Sequence, residues 1–345
     1  MKGSLVALDH INGAAAAALM VDGKLQDLLL SPADASLPIP GAIYRAVADR
    51  PLKGQGGMML RLPDGQTGFL RQARGLAPGQ ELLVQITGFA EEGKAIPLTH
   101  KVLFKSRYAI VTPDAPGLNI SRTIRDEDER DRLLEIAHIA MDGAGFGMIL
   151  RSSCAGVEAE EIEDDAIAMR NAAEAVLEDT GSGPALLLEG PDPHHLGWRD
   201  WPQPDLVSSA DGAFEDHGVW DAIEALRSPQ VTLGGGASIF VEPTRALVAV
   251  DVNTGGDTSP AAGLKANLAC ARELPRQLRL RGLGGQITID LAPMAKKDRK
   301  QFETALRSAF RADHIDTTLV GFTPLGHYEL QRKRERLALA ECVLG

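Results

Sequence analysis

The chain has no apolar run approaching the ~20 residues that a bilayer-crossing helix needs, and its small-residue stretch Ala14 to Ala18 is flanked by Asn12 and Asp22. It also lacks a basic opening segment followed by an apolar block, so no secretory signal is expected and a cytoplasmic location follows by default. Cysteine is scarce. Cys154, Cys270 and Cys342 lie far apart and none stands in a C-x-x-C pair, which argues against a disulfide framework or a zinc knuckle and leaves buried or idle thiols. Excess positive charge is missing too: a net charge of −11 argues against a protein that coats nucleic acid indiscriminately, because that affinity comes from Lys and Arg neutralising phosphates. No repeat of fixed period is present.

What remains is an ordinary soluble, globular composition. Hydrophobic residues make up 44% and charged residues 24% of 345 positions, enough for about two to four structural units. The charge is unevenly placed. Acidic residues cluster between Asp126 and Asp131 and between Glu158 and Asp165, whereas Arg272 to Arg281 and Arg332 to Arg336 are basic, so a polyanion would be held by the C-terminal part.

Along the chain, residues 4–9 and 16–22 read as a short β pair turned at Asn12-Gly13. After a Pro-rich break at Ser31 to Pro40, short strands separated by Asp-Gly and Pro-Gly turns run from Gly41 to about Leu103 and suggest a small β-barrel. From Tyr108 to about Gly190 the pattern is α/β, with a helix in DERDRLLEIAHIAM supported by Leu133, Ile136, Ala137 and Ala140 at helical spacing. The Pro- and His-rich text that follows is the least legible; the pair His194 and His195 reads as loop filler rather than a metal site there, and no role is assigned to Trp198. Beyond Gly234 the signal sharpens. Two strands turned at Pro243-Thr244-Arg245, a helix, a strand QITID, a helix from KDRK, a strand TTLVGFT and a final basic helix YELQRKRERLALAE are expected.

Asp251 closes the strand LVAVD and Asp290 closes the strand QITID, with one helix between them. A strand–helix–strand connection commonly places both strands in one sheet, so the two carboxylates would emerge at one sheet edge, where α/β sites usually sit. Two hard oxygen ligands suit Mg²⁺ or Mn²⁺, which keep several waters and bind phosphates directly. Such an ion could activate water for phosphodiester cleavage, with Asn253 orienting a phosphate or a bound water. Singly, an Asp at a strand end more often caps a turn; the shared topology and the basic helix between the pair favour a site.

Those residues carry a resemblance. RALVAVDVNTGG, ANLACARELPRQLRLRGLGGQITIDLAPM and GFTPLGHYELQRKRER closely resemble the catalytic core of the bacterial ribonuclease E/ribonuclease G endoribonuclease family, and weaker likeness covers the opening MKGSLVALD, Gly68 to Leu70 and Asn119 to Ile124. The resemblance implies an α+β chain of several subdomains: an RNase-H-like part at 1–36 and 191–229, an S1-type OB barrel at 37–105, a 5′-monophosphate-sensing α/β region at 106–190 and a DNase-I-like catalytic subdomain at 230–345. It places metal binding on Asp251 and Asp290 with Asn253 in support, and terminal-phosphate sensing on Arg151 and Ser152 with Gly117 in the closing loop. A guanidinium beside a hydroxyl suits a terminal phosphate, although an Arg at a strand end also pairs readily with a nearby acid. Arg276, Arg279 and Arg281 could steer the RNA backbone or form a solvated helix face. Phe69 is a base-stacking candidate that could equally be core.

The departures from the family pattern are specific. GGMMLRLPDG places Met59 or Leu60 where an aromatic is usual, which removes one stacking platform. Pro275 falls inside the helix that precedes Asp290. Ile315-Asp316 stands where a basic residue is expected. Cys342 alone cannot supply the shared-zinc motif C-P-x-C, so neither zinc nor a zinc-linked dimer is expected. The reading is therefore a Mg²⁺-dependent endoribonuclease cutting single-stranded RNA, with a non-catalytic RNA-binding homologue as the alternative. A metabolic phosphatase would use similar carboxylates but needs no inserted barrel.

Overall fold

Asn12 and Gly13 both take positive φ, 53° and 81°, as a two-residue primed turn demands. They join β1 (Ser4–Ile11) to β2 (Ala14–Val21) in antiparallel register, with Ala7 opposite Ala18. A second turn at Asp22-Gly23 adds β3 (Lys24–Leu30), which the sequence reading did not separate out. The computed structural model describes residues 2–344 apart from 53, 55 and 92. By its internal contacts the chain forms two units, residues 36–203 and a discontinuous unit of 1–35 with 204–345.

In the unit of residues 36–203, the expected barrel is present as a closed five-stranded, OB-like sheet. Strand β4 (Ile43–Leu52) pairs with β5 (Gly57–Arg61) on one side and β7 (Glu81–Ile86) on the other. Closure runs through β6 (Thr67–Arg71) and β8 (Ile96–Thr99). Ala46, Ala48, Met58, Leu60, Leu70, Val84, Ile86 and Leu98 fill it. An α/β layer follows: β9 (Phe104–Lys105), β10 (Ala109–Thr112), β11 (Leu118–Ile120), α1 (Glu127–Ala140), β12 (Gly147–Leu150) and α2 (Ala159–Leu177). Asp126 caps α1 by accepting from the Glu129 amide at 2.9 Å, and the α1 stripe Leu133, Ile136, Ala137 and Ala140 is buried as the spacing predicts. β13 (Ala185–Leu188) pairs with β4, and the illegible segment begins with α3 (Pro193–Asp200), capped by Asp192 with Pro193 in its first turn.

The other unit resumes with β14 (Leu206–Ser208), which lies parallel to β1 and completes the order β14-β1-β2-β3, and with α4 (Ala213–Asp216) and α5 (Val219–Arg227), which pack on that sheet. A six-stranded sheet then forms from β15 (Gln230–Thr232), β16 (Ser238–Pro243), β17 (Val248–Asn253), β18 (Gly285–Asp290), β19 (Thr317–Phe322) and β20 (Tyr328–Arg332), in the order β15-β16-β17-β18-β20-β19. α6 (Ala262–Leu280) and α7 (Arg299–Ala312) cover one face. Ile239, Val241, Val250, Ile287, Ile289 and Leu330 point into that core with Leu274, Leu278, Phe302 and Leu306. α6 continues through Pro275, whose ring is buried.

The final basic helix is corrected. Tyr328 to Arg332 is a strand, paired with both β18 and β19. Its burial alternates, with Tyr328, Leu330 and Arg332 inward and Glu329 and Gln331 less covered. The run of long polar residues conceals this two-residue period, because one inward position is an arginine.

Candidate functional site

Alternation along two neighbouring strands builds the site. In β17, Val248, Val250 and Val252 turn to the helices, which leaves Ala249, Asp251 and Asn253 on the uncovered face; in β18, Ile287 and Ile289 are inward and Gln286, Thr288 and Asp290 are outward. The strands are parallel, joined through α6, and their register sets Asp251 directly opposite Asp290. Adjacent strands lie about 4.8 Å apart, so the two carboxylates share one small patch of open sheet. Asn253 Nδ2 donates to Asp251 Oδ2 at 2.8 Å. On the other flank His327 Nε2 lies 3.6 Å from Asp290 Oδ1, and the Asp290 side chain is 69% exposed.

The loop after β18 is fastened from behind. The fully buried Asn267 of α6 donates Nδ2 to Ala292 O at 2.9 Å and accepts from Ala292 N at 3.0 Å. Gly263 permits the close approach: a Cβ there would sit 1.8 Å from Pro293 O. Neither residue was singled out from sequence; the one available signal was an amide placed on the apolar stripe of α6.

Chemically, the patch offers two carboxylates, an amide and open solvent. Among the described residues no group of three or more His, Cys, Asp or Glu side chains is arranged as a metal cage. A two-carboxylate site fits Mg²⁺ nonetheless, since that ion keeps several waters and uses one or two carboxylates plus substrate oxygens.

The ribonuclease E/G family matches residues 104–210 and 203–335, more than half of the chain. The chain belongs to that family. It is 29% identical to ribonuclease E of Nostoc sp. over 92% of this chain and 54% of the relative, and 28% identical to ribonuclease E of Synechocystis sp. over 94% and 56%. To ribonuclease G of Salmonella typhimurium it is 27% identical over 75% of this chain and 60% of the relative. The chain thus spans a little over half the length of these relatives.

The other candidate residues of this family member are placed as follows. The three arginines of α6 and its end turn inward, against the expectation that they meet RNA. Arg276 Nε donates to Leu25 O at 2.6 Å and pairs with Glu273. Arg279 donates to Gln26 O at 2.8 Å and pairs with Asp313. Arg281 is buried, giving its guanidinium to Leu226 O and Ser228 O at 2.7 and 2.8 Å. They fasten α6 to β3 and to the end of α5. Lys296 and Lys297, six and seven residues past Asp290, are exposed.

Arg151 follows β12 directly with its guanidinium engaged: Nη1 donates to Ser106 O at 2.5 Å and Arg199 O at 3.1 Å, and Nη2 to Asp200 Oδ1 at 3.1 Å. Burial works against the Asp200 charge, but the Arg199 and Arg151 guanidiniums outweigh it and hold that carboxyl below the usual range. Ser152 shares with Arg151 the wall of a cleft of about 770 Å³; Gly117 is not among its lining residues and instead accepts from the Met148 amide beside β11. Phe69 is half-buried on the outside of the barrel, beside its cross-strand neighbour Met59. A Cβ at Gly57 would come 2.4 Å from the Phe69 ring, so the ring covers that glycine rather than entering the core.

Proposed function

We propose that the chain is a metal-dependent endoribonuclease that cleaves single-stranded RNA in RNA processing or decay, leaving 5′-phosphate and 3′-hydroxyl ends. The observation that carries this reading is the in-register placement of Asp251 and Asp290 on an uncovered sheet face, with Asn253 bonded to Asp251. Asp251 and Asp290 would hold Mg²⁺, with Mn²⁺ the alternative. A bound Mg²⁺ supplies a more acidic water and offsets negative charge at phosphorus. Asn253 orients the Asp251 carboxylate, and the flat face leaves room for an extended phosphodiester backbone. The water oxygen bonds to phosphorus, the bond from phosphorus to the 3′ oxygen breaks, and that oxygen leaves with a proton.

Lys296 and Lys297 take over the backbone-steering role first assigned to the α6 arginines. Phe69, with Met59, is proposed as the surviving stacking surface on the barrel. Terminal-phosphate sensing at Arg151 and Ser152 requires Arg151 to exchange Asp200 for the phosphate, two acceptors that a guanidinium holds in the same way. A cytoplasmic site of action is part of the proposal; no helix among the described residues is long and apolar enough to cross a membrane.

The test is incubation of the protein with a 5′-labelled single-stranded RNA and Mg²⁺, beside an Asp251→Asn, Asp290→Asn double variant. Cleavage by the parent alone is expected. RNA left equally intact by both overturns the enzyme reading and favours an RNA-binding homologue. In parallel, equal rates on 5′-monophosphate and 5′-hydroxyl substrates would discard the sensing role of Arg151.

A further inference from the structure

The cleft beside Arg151 lies wholly within the unit of residues 36–203, and an indole stands in its wall. Trp198, on α3, is 49% exposed. Its ring lies on the guanidinium of Arg107, 4.4 Å from the ring centroid. Arg107 is itself only 6% exposed and held in place: it donates to the Trp198 carbonyl, to Trp201 O at 3.3 Å and to Gln203 Oε1 at 3.1 Å. Its Nε is buried without an acceptor.

An indole clamped from below and open above differs from a core tryptophan that has slipped outward. Trp201, three residues on, shows the other outcome, at 7% exposure. Burying one face of Trp198 costs little further ordering when a base approaches the other, because backbone bonds on both sides of the contact already fix Arg107. A flat ring in a cleft lined by Arg151, Ser152 and Arg199 offers the two things a nucleotide presents: a face for the base and donors for the phosphate. Around them the cleft carries Glu158, Glu161 and Asp200, which balance Arg107, Arg151 and Arg199 one for one. Charge alone therefore does not select a polyanion, and the base face does.

We propose that Trp198, backed by Arg107, is a nucleobase-stacking subsite that receives the first base of a single-stranded RNA whose end enters this cleft. The subsite rests on the RNA-cleaving reading above. Stacking is tolerant of base identity, since every base has a π face, so the subsite grips a terminal nucleotide without imposing a sequence.

The test titrates a 5′-monophosphorylated single-stranded RNA of ten nucleotides into the full chain carrying Asp251→Asn and follows indole emission. Quenching is expected, and Trp198→Phe in that background removes the quenching while keeping most of the affinity. Trp198→Ala weakens binding about five-fold or more, the lower end of what one base–aromatic stack supplies. That penalty disappears with an RNA whose first ribose lacks a base. RNA binding with unchanged emission, or a Trp198→Ala penalty of equal size on the abasic-ended RNA, overturns the subsite while leaving the nuclease reading standing. RNA that does not bind at all defeats both. RNA that binds with quenching in this variant but is not cut by the parent enzyme defeats the nuclease reading alone.

Discussion

Two sets of carboxylates on the same unit have opposite surroundings. Asp27 and Asp313 lie inside it: the Asp313 side chain is 1% exposed and meets Arg332, 0% exposed, at 2.9 Å as well as Arg279, while Asp27 meets Arg336 at 3.0 Å and Arg279 at 3.4 Å. Asp251 and Asp290 stand on open sheet with an amide on one flank and an imidazole on the other. A carboxylate enclosed by guanidiniums in a dry setting has no open face for a cation, and its charge is spent on holding β3, α6 and β20 together. One left wet, beside a second of the same sign, gains nothing for the fold and is free to take a cation. The proposed function follows the unsaturated pair.

The comparison breaks most sharply in activity. Asp251→Asn alone should lower RNA cleavage on the order of 10³-fold, the scale of losing one charge-stabilising contact at a reacting centre, with thermal melting unchanged. Asp313→Asn should do the reverse. Removing one partner of a buried ion pair leaves uncompensated charge and costs about 3–5 kcal/mol, read as a lower urea midpoint, while the folded fraction still cleaves. If Asp313→Asn removed cleavage without touching the midpoint, the division between structural and functional carboxylates would be lost.

A buried amide joins the two regions. Asn267 makes two hydrogen bonds to Ala292, two residues past Asp290. Asn267→Ala leaves a buried donor and acceptor unmet and should cost about 1–3 kcal/mol. Because the loop it fastens follows directly on Asp290, cleavage should also fall, with the larger change in kcat, whereas Asp313→Asn leaves kcat per folded molecule intact. Loss of stability without any kcat change would make Asn267 purely structural.

How far the sequence could be read follows the same line. The facing carboxylates were legible because strand alternation, a single intervening helix and the right-handed crossover together leave one arrangement for Asp251 and Asp290. The barrel was legible from its turns. Arg276, Arg279 and Arg281 were read as candidates for steering RNA because a basic run looks the same whether its partners are phosphates or main-chain carbonyls far along the chain; Leu25 and Gln26 supply those acceptors to Arg276 and Arg279, Leu226 and Ser228 supply them to Arg281, and nothing local announces them. Strand β20 was misread because Arg332 occupies an inward position, its charge met by Asp313. α3 was missed because its cap and its first-turn proline, Asp192 and Pro193, also read as loop.

Glu129 lies between the two extremes and gives the smallest expected effect. It forms a two-pronged pair with Arg132, at 2.8 Å on both oxygens, and accepts from the Gly156 amide at 3.0 Å, yet it sits near the surface of α1. The Arg132 hydrogen bonds, then the Gly156 amide, hold its carboxyl down at about 2 from an ordinary 4.5. A folded value below the unfolded one means that the folded state favours the charged form. The stabilisation is therefore fully present above about 4.5 and is lost as pH falls toward about 2. Glu129→Gln should lower the melting temperature slightly at neutral pH, because solvent screens so accessible a pair. The gap to the parent should narrow steadily on acidification through that window. A gap independent of pH would mean that Glu129 acts through packing rather than charge, and would place it with neither set of carboxylates.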